Sequence, residues 1–154
     1  MIRCMNYELF MGEALAEARQ AAQRGAPAVG AVAVMNDAMV ARAGNRVGDG
    51  ADPTAHAVIG ALREAARKLG TPRLSDVTIF TTLEPCPMCV GALLECDVAA
   101  LVYAVPNDRD GAAGTVIQIA QNPALPRRLE VVSGICRAEA EELGPGRAAV
   151  APGA

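Results

Sequence analysis

The chain has 154 residues, 52% hydrophobic and 20% charged, with a formal net charge of −3 at pH 7 and a single lysine, Lys68, among 14 basic side chains. That length suits one compact domain burying roughly 70% of its unfolded surface without disulfides, and the composition excludes a disordered chain. The acidic balance excludes the broad basic footprint of a general phosphate-backbone binder. Gly, Pro or charge interrupts every apolar run before the roughly 20 residues that a membrane span needs. The first residues hold no signal-type apolar core, and five cysteines are an odd number for a secreted framework. A reducing, cytoplasmic location is the expectation.

In chain order, Leu9, Ala14, Leu15, Ala18 and the Ala21–Ala22 pair recur at helical spacing among charges and predict an amphipathic helix over residues 7–24, ended by Gly25 and Pro27. Residues 29–34 form a short apolar run, a buried strand. Asn36 and Asp37 make a turn into a second strand that starts at Met39, so the pair reads as a hairpin. A Gly/Asp-rich loop follows, with Asp52 placed to cap a helix that has Pro53 at its first position. That helix extends to Leu69 and stops at Gly70 and Pro72. The β-branched run 77–82 predicts a strand, Pro87 opens a helix that ends near Glu95, and residues 98–105 are a strand. After a Gly-rich loop come a short helix at 117–120, a strand at 129–132 and a last helix at 135–143. Residues 144–154, rich in Gly, Pro and Ala, read as a disordered tail behind a domain spanning 1–143. Helices alternating with strands indicate an α/β layered fold.

Cys86 and Cys89 are three apart at a predicted helix start, where unpaired N–H groups and the helix dipole favour thiolates. Alone, the pair is equally a redox couple, half of a structural zinc site or two buried thiols. His56, the only histidine, stands at the start of the preceding helix. If the two helix starts meet at one sheet edge, the three side chains converge on one ion and leave tetrahedral zinc an open position, which is a catalytic arrangement.

His56-Ala57-Val58 followed by Pro85-Cys86-Pro87-Met88-Cys89 resembles the His-x-Glu and Pro-Cys-x-x-Cys signature of the zinc nucleobase deaminases. Gly44-Asn45-Arg46, Asp52-Pro53-Thr54-Ala55-His56-Ala57, Thr82-Leu83-Glu84-Pro85 and Gly111-Ala112-Ala113-Gly114 are similar to the bacterial tRNA adenosine deaminase branch, over about residues 7–143. The resemblance implies a three-layer αβα cytidine deaminase-like fold with a central five-stranded mixed sheet. It further implies Zn²⁺ on His56, Cys86 and Cys89, and a dimer of two copies or of this chain with a related one. Substrate-side roles fall on Asn45, on the Ala57 backbone, on Asn107 and on Glu84, the last expected to orient its loop rather than to do chemistry. Asn45 is also readable as a plain turn residue.

Val58 stands where the family carries its proton-carrying glutamate, and valine transfers no proton. General acid–base catalysis is worth about 10²–10⁴-fold, so the chain as written is expected to be a severely impaired deaminase that still binds zinc. Three readings stay open: a Glu→Val change, engineered or otherwise; a non-catalytic subunit, similar to that of the eukaryotic tRNA adenosine deaminase heterodimer in carrying Val there; or another acid, Asp49, Glu84 or Asp108, acting as base. Val105-Pro106-Asn107 and Leu125-Pro126-Arg127-Arg128 depart from the tRNA-acting pattern, and Glu139, Glu141 and Glu142 make the last helix acidic. These departures point to a free nucleobase or nucleoside, with tRNA as the alternative. Cys4, Cys96 and Cys136 read as core packing. The Val90, Ala92, Leu93, Leu94 stripe reads as core, with part of it available to a dimer face.

Overall fold

A computed structural model describes residues 5–144. Helix α1 (Tyr7–Gln23) is followed by β1 (Gly30–Met35), β2 (Ala38–Gly44), α2 (Ala57–Leu69), β3 (Thr78–Leu83), α3 (Pro87–Glu95), β4 (Ala100–Val105), β5 (Glu130–Ser133) and α4 (Arg137–Glu142). The strands form one sheet in the order β2-β1-β3-β4-β5. β1 is antiparallel to both neighbours, and β3, β4 and β5 are parallel. Four strands therefore run one way and β1 alone runs back. The carboxyl ends of β2, β3 and β4 share one edge of the sheet with the start of β1.

Alternation along the strands separates two cores. Ala31, Ala33, Ile79 and Leu101 face Ile59 and Leu62 of α2 and Val90 and Leu93 of α3. Val32, Val34, Phe80 and Val102 face Phe10, Met11 and Leu15 of α1 and Ala140 of α4. The result is a helix–sheet–helix sandwich with a five-stranded mixed sheet, as the resemblance implied. The 90–94 stripe lies against the core: Val90, Leu93 and Leu94 are buried and Ala92 is partly covered. Cys96 and Cys136 pack half-buried at the margins of the two cores, while Cys4 and residues 145–154 of the expected tail lie outside the described residues.

Several element ends differ from expectation, each for a hydrogen-bonding reason. The second helix begins at Ala57, not Pro53. The Asp52 carboxylate accepts from the Thr54 N–H and hydroxyl, and the Ala55 carbonyl is taken by the Arg46 N–H at 2.9 Å, so residues 52–55 are tied to the exit of β2 as a turn. The expected helix at 117–120 is absent. Val116 and Ile117 donate to the Gly111 carbonyl and Ile119 to Ala112, folding the segment back on itself through an Ala113–Gln118 bridge. β2 extends to Gly44, and the last helix is trimmed to Arg137–Glu142.

Small residues set the helix-to-sheet spacing. A Cβ at Gly30 would overlap the Ala14 carbonyl and the Ala18 amide of α1, and one at Gly60 would lie 2.9 Å from Ala43 Cβ. Gly30→Ala is therefore expected to destabilise the protein by about 1–3 kcal/mol, the range for overpacking a close-fitted contact. A lower urea midpoint at unchanged m-value is the expected reading. An unaltered midpoint would mean that α1 moves off β1 at no cost.

Candidate metal centre and active site

Two helices begin at the shared sheet edge, and each starts on a potential ligand. His56 is the N-cap of α2, with extended backbone (φ −67, ψ 153). Cys86 is the N-cap of α3 (φ −73, ψ 172), Pro87 follows it, and Cys89 lies one turn further. His56 Nδ1 lies 3.6 Å from Cys86 Sγ and 3.5 Å from Cys89 Sγ. All three donor atoms fall within 4.8 Å of one another. A tetrahedral zinc ion, with bonds of about 2.0 Å to nitrogen and about 2.3 Å to sulfur, separates such a pair by about 3.6 Å. The donor types and spacing fit zinc, with His56, Cys86 and Cys89 as the residues that would hold it.

The three groups polarise one another. A hydrogen bond from Cys89, reinforced by His56, holds the Cys86 thiol down to about 4 against the opposing effect of burial. Cys89 is pushed well up, first by that hydrogen bond and then by burial. His56 is raised, mainly by its hydrogen bond to Cys86.

The ligands open onto a cavity of about 980 Å³ whose wall includes every residue expected from the sequence: Asn45, His56, Ala57, Val58, Glu84, Cys86, Cys89 and Asn107. Val58, 3% exposed, is at once a wall residue and a member of the α2–sheet core. Asn45, 6% exposed, accepts the Val47 N–H on its side-chain carbonyl at 3.0 Å and so closes a local turn. Its Nδ2 donates to no group among the described residues and is free for a ligand.

Glu84 is 1% exposed. Its carboxylate accepts from the backbone N–H groups of Asn107 (3.3 Å), Ala113 (2.9 Å) and Thr115 (3.2 Å), and from the Thr115 hydroxyl. A Cβ at Gly111 would lie 2.6 Å from Glu84 Oε2, so only glycine lets the loop close over the carboxylate. Asn107 has its whole side chain committed: Nδ2 donates to the Glu84 carbonyl at 3.3 Å and to Asp110 Oδ1 at 2.6 Å, while Oδ1 accepts the Arg109 and Asp110 N–H groups. Here Glu84 and Asn107 organise the loop.

Of the alternative acids, Asp49 and Asp108 also line the cavity, as do Asp110 and Arg24, which carried no signal in the sequence. Arg24 follows α1 and bonds the Asn45 carbonyl at 3.1 Å. Asp110 sits in a loop without periodicity, and only its fold-back onto Glu84 brings it to the wall.

The family model for the cytidine and deoxycytidylate deaminase zinc-binding region matches residues 5–105. Over 132 residues the chain is 39% identical to the tRNA-specific adenosine deaminase of Bacillus subtilis, covering 86% of this chain and 82% of that protein. It is 38% identical over 111 residues to the guanine deaminase of the same organism, 71% of each chain. A stretch of 107 residues, 69% of this chain, is 52% identical to the tRNA(Ile)-lysidine synthase of Deinococcus radiodurans but spans only 18% of that protein. A solved structure from studies of A-to-I editing by tRNA:A34 deaminases superposes with a TM-score of 0.85 at 36% identity, covering 88% of this chain and 98% of that one. No helix among the described residues is long and apolar enough to cross a membrane.

Two outcomes follow from this geometry. Glu84→Ala strips the acceptor from buried donors and is expected to destabilise by about 2–4 kcal/mol, with amide exchange at Ala113 and Thr115 accelerating ahead of the sheet; equal acceleration everywhere would contradict a local role. Zinc uptake at pH 7 should release about one proton or more, drawn chiefly from Cys89, and weaken as pH falls. Titration calorimetry in buffers of different ionisation enthalpy measures this, and uptake without proton release would contradict the thiol assignments.

Proposed function

The chain belongs to the cytidine and deoxycytidylate deaminase zinc-binding family, and from that premise we propose that it is a zinc-dependent aminohydrolase scaffold for a nucleobase or nucleoside, with its proton transfer crippled at Val58. The observation that carries this reading is the common wall: three zinc-type donors, the free Asn45 Nδ2 and the Val58 side chain line one ligand-sized cavity. Bound zinc supplies Lewis acidity that makes water nucleophilic near neutral pH. The chain's own residues do the rest. Asn45 Nδ2 donates to the base, the Ala57 backbone at the head of α2 offers it a further hydrogen bond, and the Glu84 clip keeps loop 107–115 closed against Pro85. Hydrolytic deamination also needs a group that takes a proton from water and delivers protons to the ring and to the leaving amine. Val58 does none of this.

A small substrate is supported by the acidic net charge of the chain. The tRNA alternative is supported by the relatives named for tRNA adenosine deamination. A non-catalytic partner subunit is favoured by one observation, the snug burial of Val58 in the α2 core. Self-association as a homodimer, or pairing with a related chain, is supported by exposed apolar Met88, Val116 and Ile117 on the zinc helix and the loop packed near its start. A cytoplasmic setting accords with the thiol ligands.

Val58→Glu should raise deamination by about 10²–10⁴-fold, measured as ammonia released from adenine, guanine, cytosine, their ribonucleosides and tRNA by zinc-loaded protein, with Val58→Gln showing no gain. Activity confined to tRNA would transfer the assignment to the tRNA reading. No activity in the Val58→Glu protein would refute a deaminase scaffold.

A further inference from the structure

Arg24, on the cavity wall, joins the C-terminus of α1 to the exit of β2. Its backbone is set by the helix, because the Arg24 N–H donates to the Gln20 and Ala21 carbonyls at 3.2 and 3.1 Å. The side chain, 30% exposed, reaches back from there: Nη2 donates to the Asn45 carbonyl at 3.1 Å and Nε faces Asp49 Oδ2 at 3.9 Å. Gly44 leaves room for that reach. A Cβ at Gly44 would lie 3.3 Å from Arg24 Nη2 and 3.0 Å from the Glu17 carbonyl, so the glycine before Asn45 is where the arginine crosses the end of β2.

Three of the four polar atoms of Asn45 are committed. Its N–H donates to the Val29 carbonyl at 3.0 Å, its carbonyl accepts from Arg24, and Oδ1 accepts from the Val47 N–H. Among the described residues only Nδ2 is left uncommitted, on the cavity wall. The peptide that joins Asn45 to Arg46 is held at both ends. Arg24 bonds its carbonyl, and its N–H, that of Arg46, donates at 2.9 Å to the Ala55 carbonyl, next to His56. The tilt of this peptide sets where the Val47 N–H lies, and that N–H holds Oδ1 and so turns Nδ2. A charged donor such as a guanidinium bonds a carbonyl about twice as strongly as a neutral one.

We infer that Arg24 is a positioning residue of this site: through its bond to the Asn45 carbonyl it aims Asn45 Nδ2 at the substrate base. This rests on the deaminase reading, in which Asn45 donates to the base, and adds to it the group that orients that donor. Arg24 takes part in no bond making and moves no proton; it acts through Asn45 alone. A hydrogen bond made equally to the bound base and to the transition state shows in KM and leaves kcat in place. Losing the arginine therefore weakens substrate binding, whereas a plain tie at the end of α1 would lower stability and nothing specific to Asn45.

The test uses the zinc-loaded full chain carrying Val58→Glu and the panel substrate that it turns over fastest. Arg24→Met keeps the stem and removes the donors; it is expected to raise KM by about 5–10-fold, the scale of one hydrogen bond, with kcat altered less than roughly threefold. Arg24→Lys retains a charged donor and should recover most of the loss. In an Asn45→Ala background no Nδ2 remains to be aimed, so Arg24→Met should then cost less than about twofold, as for two residues that act as one. A readout independent of turnover is amide exchange at Val47 in the chain unaltered at position 58, which should quicken with Arg24→Met. The inference is overturned by an equal rise in KM in both backgrounds, by a loss in kcat with KM held, by Asp49→Asn matching the effect of Arg24→Met, or by unchanged exchange at Val47. If Arg24→Met does not fold, Arg24→Gln takes its place under the same criteria. An inactive Val58→Glu protein is the distinguishable case in which the deaminase reading itself fails and this inference with it.

Discussion

The approach of two helix N-termini to within bonding distance of one ion is the constraint on which everything else in this molecule rests. His56 Nδ1 and the two sulfurs stand 3.5 and 3.6 Å apart, although they belong to segments separated by 30 residues and by a whole strand. The sheet makes this possible because β2 and β3 both run against β1, so both chains emerge at the same edge and turn into helices there. β4, parallel to β3, delivers loop 107–115 to that edge as well. Open sheets bind ligands outside the carboxyl ends of their strands for this reason, and the cavity takes its wall from three such ends and from the start of β1.

Holding two helix starts in register demands close packing behind them. α1 approaches β1 so nearly that Gly30 has no space for a Cβ, and Gly60 lets α2 settle on Ala43. Alanine and glycine act here as spacers, which accounts for an apolar composition with only 3% aromatic residues. On the opposite flank the buried Glu84 carboxylate replaces packing with hydrogen bonds. A charged acceptor buried among several N–H donors is worth more than a neutral pair, and it fixes a loop with almost no secondary structure of its own.

The strands and the zinc helix were readable because their signals are local: the β-branched run behind β3 and proline at the first position of α3. The metal ligands were readable because their spacing and type carry the chemistry. What the sequence concealed depends on distant partners. Asp52-Pro53 has the composition of a helix start, yet the Arg46 N–H claims the Ala55 carbonyl and delays the helix to Ala57. Residues 117–120 have helical composition, but their amides are taken up by Gly111 and Ala112. Asn107, expected beside the substrate, has no free polar atom, whereas Asp110, three residues on and without any motif, reaches the cavity.

Val58 lies beside the ligand set without belonging to it. None of the three donors depends on residue 58, which sits at the second position of α2 with its side chain 3% exposed among apolar neighbours. Burying a valine there contributes roughly 1.5–3 kcal/mol relative to exposure, whereas a carboxylate at so dry a position is stable only when paired or protonated. A working proton carrier at this point is thus held against the preference of the fold, the usual conflict between stability and activity. A valine at this position meets no such conflict and leaves the sheet edge and the ligand set intact.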